Sequence, residues 1–405
     1  MGLPPQALES LRILDFSHVF QGPMGTQILA DHGADVIKVE RPPRGDWSRA
    51  WGPFIKGVSL AFGHLNRNKR SLAVDLKSQA GRELVGKLVA EADVVVHNFR
   101  KGVMEKLGLG YEDARAINPG LIYAWSSGWG DSGPSADSGR GGHDLMARAE
   151  AGWFLQPDKQ KAPIPGGMSV DYAAGLHLMI AILMALYHRE KTGHGQFIST
   201  DLFSVAFHAH VWDGASHLNG ARIDAPAALG GTEDAILKAF ATKDGYIEIS
   251  PVFSDNALRD ISLALGLNDL SEDPRFATEK KQLENRETLN ALLAKRFRAR
   301  TTETWMAQLE PQGIFCARVH SFAEAAEHPQ TAANNLVVEM EHPEAGDLKL
   351  SGIPIRLKST PPRLRQPPPD LGEHSIVIAR ELGYTREEIF GLVRDGVLVK
   401  AEKTV

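Results

Sequence analysis

Leu11-Arg12-Ile13-Leu14-Asp15-Phe16, then Gln21-Gly22-Pro23-Met24-Gly25, then Asp35-Val36-Ile37-Lys38-Val39-Glu40: read in this order, these stretches decide the fold. The first is a short apolar run and reads as a strand. The glycine- and proline-bearing turn opens a helix expected to run to about Asp31, and the third stretch reads as a second strand. Strand, turn, helix and strand within about thirty residues form a βαβ unit. The pattern recurs downstream. Residues 71–76 are expected to be extended, 81–91 helical and 92–97 a buried strand; a short helix at 111–117 precedes a strand at 120–126. Such alternation predicts an α/β fold with a mostly parallel sheet covered on both faces.

Beyond this region lies the apolar run from Leu176 to Tyr187, too short to span a bilayer and read as a core helix. Lys191-Thr192-Gly193 gives it a basic last turn and a glycine stop. A second helix is expected to start near Asp201. Composition changes over 219–233, a loop holding Gly220, Pro226, Gly230 and Gly231. After it, 236–249 predicts strands around a Lys243-Asp244-Gly245 turn, and 256–265 and 285–297 carry helical patterns. These elements read as a smaller α+β domain. Strands are expected within 336–358, an extended proline-rich strap at 361–369, and a terminal helix at 385–397.

A chain of 405 residues, 43% hydrophobic and 23% charged, has the composition of an ordinary globular protein and room for two domains. Its formal net charge of -5 argues against nucleic acid as a partner, while leaving room for a local basic patch. The one cysteine, Cys316, excludes an intrachain disulfide and fits a reducing compartment. Met1–Glu9 has neither a basic n-region nor an apolar core, so no signal peptide is read; no membrane association and a cytoplasmic location are expected.

The residue with the most chemistry to offer is Asp171, in Pro165-Gly166-Gly167-Met168-Ser169-Val170-Asp171-Tyr172, just ahead of the apolar helix. A carboxylate in a first helical turn is either a cap or a reactive group. The partial positive charge there is expected to favour its ionised form, and the unpaired N–H groups to serve a nearby oxyanion. Arg41, Lys69, Arg70, Lys77, Arg100, Lys101 and Lys106 recur at the ends of predicted strands. They are either solvated surface charges or a polyphosphate site at the ligand-binding edge of an open sheet. His143 beside Asp144 offers acid/base chemistry after a Gly-, Ser- and Asp-rich loop at 128–142. The glycines of 21–25 do not fit the G-x-G-x-x-G spacing, so no nucleotide cofactor is expected. The scattered histidines show no metal-ligand spacing, so no metal is expected either.

Several segments, in order, resemble the class III CoA-transferases, the family that includes formyl-CoA:oxalate transferase, carnitine CoA-transferase and the α-methylacyl-CoA racemases. They are Leu14-Asp15-Phe16-Ser17-His18-Val19 with Gly22-Pro23, Gly33-Ala34-Asp35-Val36-Ile37-Lys38-Val39-Glu40-Arg41-Pro42, Asn66-Arg67-Asn68-Lys69-Arg70-Ser71, and Ala92-Asp93-Val94-Val95-Val96-His97-Asn98-Phe99-Arg100. Lys191-Thr192-Gly193-His194-Gly195-Gln196 and Leu371-Gly372-Glu373-His374 complete the series. The resemblance implies a Rossmann-like large domain built from both chain ends, with 1–200 completed by 351–405, and a small domain at 227–320 between linkers at 201–226 and 321–350. It also implies an interlocked homodimer. Coenzyme A, brought as acyl-CoA, would be held by His18, Val19, Phe20, Gln21, Arg41, Val74, Asp75, Leu76, Lys77, Asn98, Phe99, Arg100, Lys106, Gly141, Gly142, His143 and Asp144. Lys77 and Lys106 would meet its phosphates.

Asp171 falls where the family carries its catalytic aspartate. The implied reaction moves CoA from an acyl-CoA donor to a small carboxylic acid through an aspartyl anhydride and an aspartyl-CoA thioester. Backbone N–H groups of Phe20-Gln21-Gly22 would stabilise the oxyanions, with Gln21 and His143 as positioning or acid/base groups. In two places the chain departs from formyl-CoA transferases. These have glutamine where Phe20 stands, one residue before Gln21, and a glycine run for which Gly230-Gly231 is the candidate; both differences argue against oxalate as acceptor. Gly142-His143-Asp144 resembles the racemase motif instead, which would make His143 and Asp171 an acid/base pair on a 2-methylacyl-CoA. The further glutamate that racemases carry has no counterpart near 249–254.

Overall fold

The computed structural model describes residues 4–155, 161–220, 235–250 and 254–401. Gly230-Gly231 and part of 249–254 lie outside the described residues. The chain divides into two compact units, Met1–His210 with Ala332–Val405, and Val211–Thr331.

The first unit is built on a seven-stranded sheet. Its strands are β1 (Arg12–Asp15), β2 (Asp35–Glu40), β3 (Lys69–Val74), β4 (Val94–His97), β5 (Ile122–Ser127), β6 (Phe197–Asp201) and β7 (Leu398–Val399). Their order is β6-β5-β4-β1-β2-β3-β7, with every pairing parallel except that of β7 on β3. The winding reverses at β1: β2 and β3 lie to one side, β4 to β6 to the other. In a sheet of this order the ligand crevice opens at the carboxyl ends of the strands, at the point of reversal. Here that is the gap between the loops after β1 and β4.

The helices of this unit that matter below are α1 (Gln21–Asp31), α2 (Gln79–Glu91), α3 (Tyr111–Ile117), α4 (Asp144–Glu150), α5 (Val170–Thr192), α6 (Leu202–His208), α7 (Ser375–Glu381) and α8 (Arg386–Arg394). Successive strand side chains point to opposite faces, and both faces are covered. Ile13, Val36, Val94 and Val96 pack with Leu29 of α1 and Leu178 and Ile182 of α5. Their neighbours Leu14, Ile37 and Val95 pack on the other side with Leu84 and Leu88 of α2, Ile378 of α7 and Ile389 of α8. This double burial is why the strands read as continuous apolar runs.

At 23 residues with mean hydropathy 1.6, α5 has the length of a membrane span. It extends well beyond the apolar run that marks it, and Val170, Ala174, Leu178, Ile182 and Ala185 bury one face as in a core helix. Gly193, at φ 75°, ends it.

β6 was not foreseen. A Cβ on Gly195 would sit 2.1 Å from the Leu121 carbonyl oxygen, so this glycine lets the chain enter the sheet edge, while the polar Ser199 and Thr200 hide the strand pattern.

The second unit has a three-stranded antiparallel sheet of Ala239–Ala241, Tyr246–Ser250 and Phe315–Arg318. Phe240, Ile247, Leu293, Phe297 and Trp305 are among its core residues. Cys316 packs partly buried against them, and burial pushes its thiol up to about 11.

Lys69 and Arg70 do not stand at the ligand edge. β3 begins at Lys69, two residues before the extended run expected at 71–76, which puts both cations at its amino end. Lys69 is fully buried; its Nζ lies 3.0 Å from Asp15 Oδ2 and donates to Thr26 Oγ1 (2.8 Å), Asn66 Oδ1 (3.0 Å) and the Pro23 carbonyl (3.1 Å). Arg70 pairs with Asp35 at 2.6 Å and Glu381 at 2.8 Å. Removing one partner of a buried pair leaves the other charge unpaired in a low dielectric. Lys69→Met is therefore expected to lower the unfolding free energy by roughly 3–5 kcal/mol in urea denaturation. A change within error would show that Lys69 does not brace the sheet.

Candidate active site

The turn joining β1 to α1 carries Val19 at φ 70°. A β-branched residue in the left-handed region is strained and persists only where its surroundings hold it. Here they do. The Val19 N–H donates to Asp46 Oδ1 at 3.0 Å, and the His18 N–H to Asn98 Oδ1 at 2.8 Å. Asn98 Nδ2 returns a bond to the His18 carbonyl at 2.8 Å. Lys38 Nζ donates to the Ser17 carbonyl at 2.7 Å and lies 2.9 Å from Asp46 Oδ2, both side chains being wholly buried. Burial opposes charge on Lys38, yet Asp46, Asp15 and Glu40 hold its ammonium above the usual lysine range. Asp46 is likewise kept below the carboxylate range, against its burial, by Lys38.

With the turn fixed, the amides of Phe20, Gln21 and Gly22 open α1 without an acceptor among the described residues. The Gln21 side chain is committed: Nε2 donates to the Ser126 carbonyl at 3.3 Å, and Ser126 Oγ donates to Gln21 Oε1 at 3.0 Å.

Asp171 is brought to this turn by two glycines. A Cβ on Gly175 would lie 2.8 Å from the Gln21 carbonyl oxygen and 2.9 Å from Met24 Cβ; one on Gly25 would lie 2.9 Å from the Gly175 carbonyl oxygen. α1 and α5 thus cross backbone against backbone. Asp171 stands one helical turn before Gly175, so it is held beside the start of α1.

The expected electrostatics at Asp171 are reversed. The first N–H groups of α5 are not free: Val170 and Asp171 donate to Asp144 Oδ2 at 2.7 and 3.1 Å, and Tyr172 donates to Ser169 Oγ at 3.4 Å. Asp144, at the start of α4, is a cap for α5, with Arg148 Nε 2.7 Å from its other oxygen. Burial, and then the negative charge of Asp144, push Asp171 up to about 7, with Arg148 opposing. The favourable end of the helix is taken up by a second carboxylate, and the first is left to bear the repulsion.

Two cavities adjoin the turn. The smaller, about 480 Å³, contains Asp171 together with His18, Val19, Phe20, Gln21, Asn98, Phe99, Arg100, Gly141, Gly142 and His143. The larger, about 920 Å³, is lined by Arg41, Arg44, Asp75, Leu76, Lys77 and Lys106. His18, Trp47, Phe99 and Val103 border both, so the chambers meet at the His18–Phe99 ring pair, centroids 5.4 Å apart. Val74 borders neither; it is buried in β3. Nor does Asp144, whose carboxylate serves the helix cap. Trp47, Trp51, Trp129 and Arg140 also line the smaller chamber and went unread, because isolated loop aromatics carry no local pattern. Among the described residues no group of three His, Cys, Asp or Glu is placed to hold a metal ion.

Comparison with known proteins now bears on this arrangement. The family model described as CoA-transferase family III matches residues 8–375. An acyl-CoA transferase of Fusarium pseudograminearum is 37% identical over 408 residues, covering 97% of this chain and 88% of that protein. Succinyl-CoA:glutarate CoA-transferase of Mus musculus is 36% identical over 402 residues, covering 98% and 91%. The crystal structure of a CAIB/BAIF family protein from Brucella suis matches with a TM-score of 0.81 at 33% identity, over 93% of this chain and all of that one.

A raised pKa makes the native state hold a proton that the unfolded chain has already released, so stability falls as pH rises through that window. Asp171→Asn removes this cost. Its thermal stability is expected to match the parent's below about pH 4, the ordinary range for Asp, and to exceed it increasingly until the gain levels off just above pH 7. Melting curves across pH check this; a difference that does not vary with pH would mean Asp171 ionises normally.

Proposed function

This chain belongs to CoA-transferase family III, and we propose that Asp171 is the covalent carrier through which CoA passes from donor to acceptor. A carboxylate oxygen of Asp171 attacks the thioester carbonyl of a bound acyl-CoA; the C–S bond breaks, leaving a mixed anhydride and CoA thiolate. The thiolate attacks the Asp171 acyl carbon, releasing the donor acid and forming an aspartyl-CoA thioester. The acceptor carboxylate then attacks that carbon and expels the thiolate, which takes the new acyl group from the second anhydride and frees Asp171. Every step exchanges one activated acyl bond for another. The free amides of Phe20, Gln21 and Gly22 are suited to the oxyanions that form along the way.

The single observation that carries this reading is the position of Asp171 in the same small chamber as Phe20 and Gln21 at the start of α1, behind a larger cationic one. Arg41, Lys77 and Lys106 would hold the phosphates of CoA, and the pantetheine arm would pass between His18 and Phe99. A second subunit, interlocked with the first, would cover the apolar face that α5 leaves exposed, where Ile180, Leu183, Met184 and Tyr187 lie. His143 shares the chamber with Asp171, which supports a second reading, exchange of an α-proton between these two residues.

Asp171→Ala is expected to lower transfer roughly a thousandfold or more while CoA still binds in calorimetry. Hydroxylamine added during turnover should leave a hydroxamate at position 171, read by mass spectrometry. Product formation with that position unmodified would sink the covalent route, and deuterium uptake at the α-carbon without acyl exchange would favour the proton-exchange reading. Lys77→Ala and Lys106→Ala should each raise KM for acyl-CoA about tenfold or more, the loss of one charge-assisted bond; an unchanged KM would place the phosphates elsewhere.

A further inference from the structure

We propose that Arg100 binds the far carboxylate of a dicarboxylic acid, and thereby makes short dicarboxylic acids the preferred substrates. The inference rests on the transfer reading above and deepens it. Besides two histidines, the cations lining the Asp171 chamber are Arg100, Lys101 and Arg140. Two of them are neutralised from within. Lys101 Nζ lies 2.7 Å from Asp137 Oδ1 and donates to the Asp131 carbonyl at 2.8 Å. Arg140 lies 2.6 Å from Glu150 Oε1, with its guanidinium over the Trp129 ring at 4.6 Å.

The Arg100 side chain has neither a carboxylate nor a hydrogen-bond acceptor among the described residues. Its guanidinium rests against Gly141, where a Cβ would stand 2.6 Å from Nη2; the missing side chain is the space the cation occupies. Asp171 does not serve as its counter-ion, because the cation that Asp171 feels is Arg148. Nor do the phosphates of CoA, since Arg100 does not line the larger chamber, where Arg41, Arg44, Lys77 and Lys106 gather. What remains is the acid that enters the small chamber. One carboxylate of a dicarboxylic acid reacts at Asp171, and the other needs a planar, two-pronged donor, which guanidinium provides.

The experiment compares glutarate with pentanoate as acceptors, succinyl-CoA being the donor, in the full-length enzyme and in Arg100→Met, Arg100→Lys and Gly141→Ala. The parent is expected to favour glutarate. Arg100→Met should cut the ratio of the two kcat/KM values about tenfold to a hundredfold, the worth of a charge-assisted bond, with inhibition by free CoA unchanged. Arg100→Lys should restore part of the ratio, and Gly141→Ala, which displaces the guanidinium, should reduce it. A parent with no preference, an unaltered ratio in Arg100→Met, or weakened inhibition by free CoA would overturn the assignment. Hydroxylamine trapping at position 171 separates the two ideas: a trapped enzyme without the preference loses only Arg100's role, whereas an untrapped one loses the transfer mechanism.

Discussion

Buried charge beneath the β1–α1 turn is the constraint on which the rest depends. Asp15 and Lys38 are register partners on neighbouring strands, and Lys69 reaches Asp15 from β3. Asp46 and Glu40 complete the set, with Arg49 2.7 Å from Glu40. Taking so many charges out of water is costly, and mutual attraction only roughly offsets it. The return is directional. Each ammonium also donates to backbone, Lys38 to Ser17 and Lys69 to Pro23, and Asp46 receives the Val19 amide. A nonpolar core could fill the same volume but could not hold Val19 at positive φ, and without that bend α1 would not open with its first amides free.

The same physics acts with opposite sign a few residues away. Around Lys38 every carboxylate has a cation within reach and stays below its ordinary range. Asp171 has Asp144 as a neighbour, and Arg148, the cation that opposes its shift, is already paired with Asp144 at 2.7 Å. Burial and the charge of Asp144 therefore push Asp171 up, where the acids around Lys38 are held down. For the proposed nucleophile that is a compromise: a more basic carboxylate attacks a thioester more readily, but fewer molecules carry it ionised below neutral pH. Asp144 adds to the effect of burial while capping α5, so the helix start and the ionisation of Asp171 are linked through one side chain.

Much of this was legible in the chain, and the gaps have physical causes. β2 falls on 35–40 and α3 on 111–117 as read, because an apolar run bounded by turns, or a compact helical pattern, needs nothing beyond its own neighbours. The place of Asp171 in the first turn of the long helix was legible because a glycine-rich approach to an apolar run marks it locally. Lys69 and Arg70 were misjudged since they stand at the amino end of a parallel strand, before the run read at 71–76, whereas the ligand edge is the carboxyl end. Asp46 left no trace: its meaning lies in Lys38 and Val19, eight and twenty-seven residues away. The capping role of Asp144 was equally hidden, since the N–H donors it accepts from, the amides of Val170 and Asp171, arrive from a different helix.

The two chambers differ in what builds them, and that difference bears on how substrate choice is set. The cationic chamber is assembled by segments following β2, β3 and β4, anchored to the sheet and to the buried charges. Its contents would be the same for every acyl-CoA. The small chamber owes one wall to the loop from Gly128 to Gly142, whose ends touch so closely that a Cβ on either glycine would lie 2.7 Å from the other's Cα. That pinch lets the intervening residues change while the neck, and Asp171 beyond it, stay in place. Arg140 and the acids Asp131 and Asp137 belong to this loop; Glu150, the partner of Arg140, follows it on α4. Whether a cation facing the acid is free or neutralised is therefore decided largely by loop residues, apart from the reacting carboxylate. On the proposed reading, substrate class would shift by re-pairing charges on this one wall, without disturbing the buried charges that hold the turn.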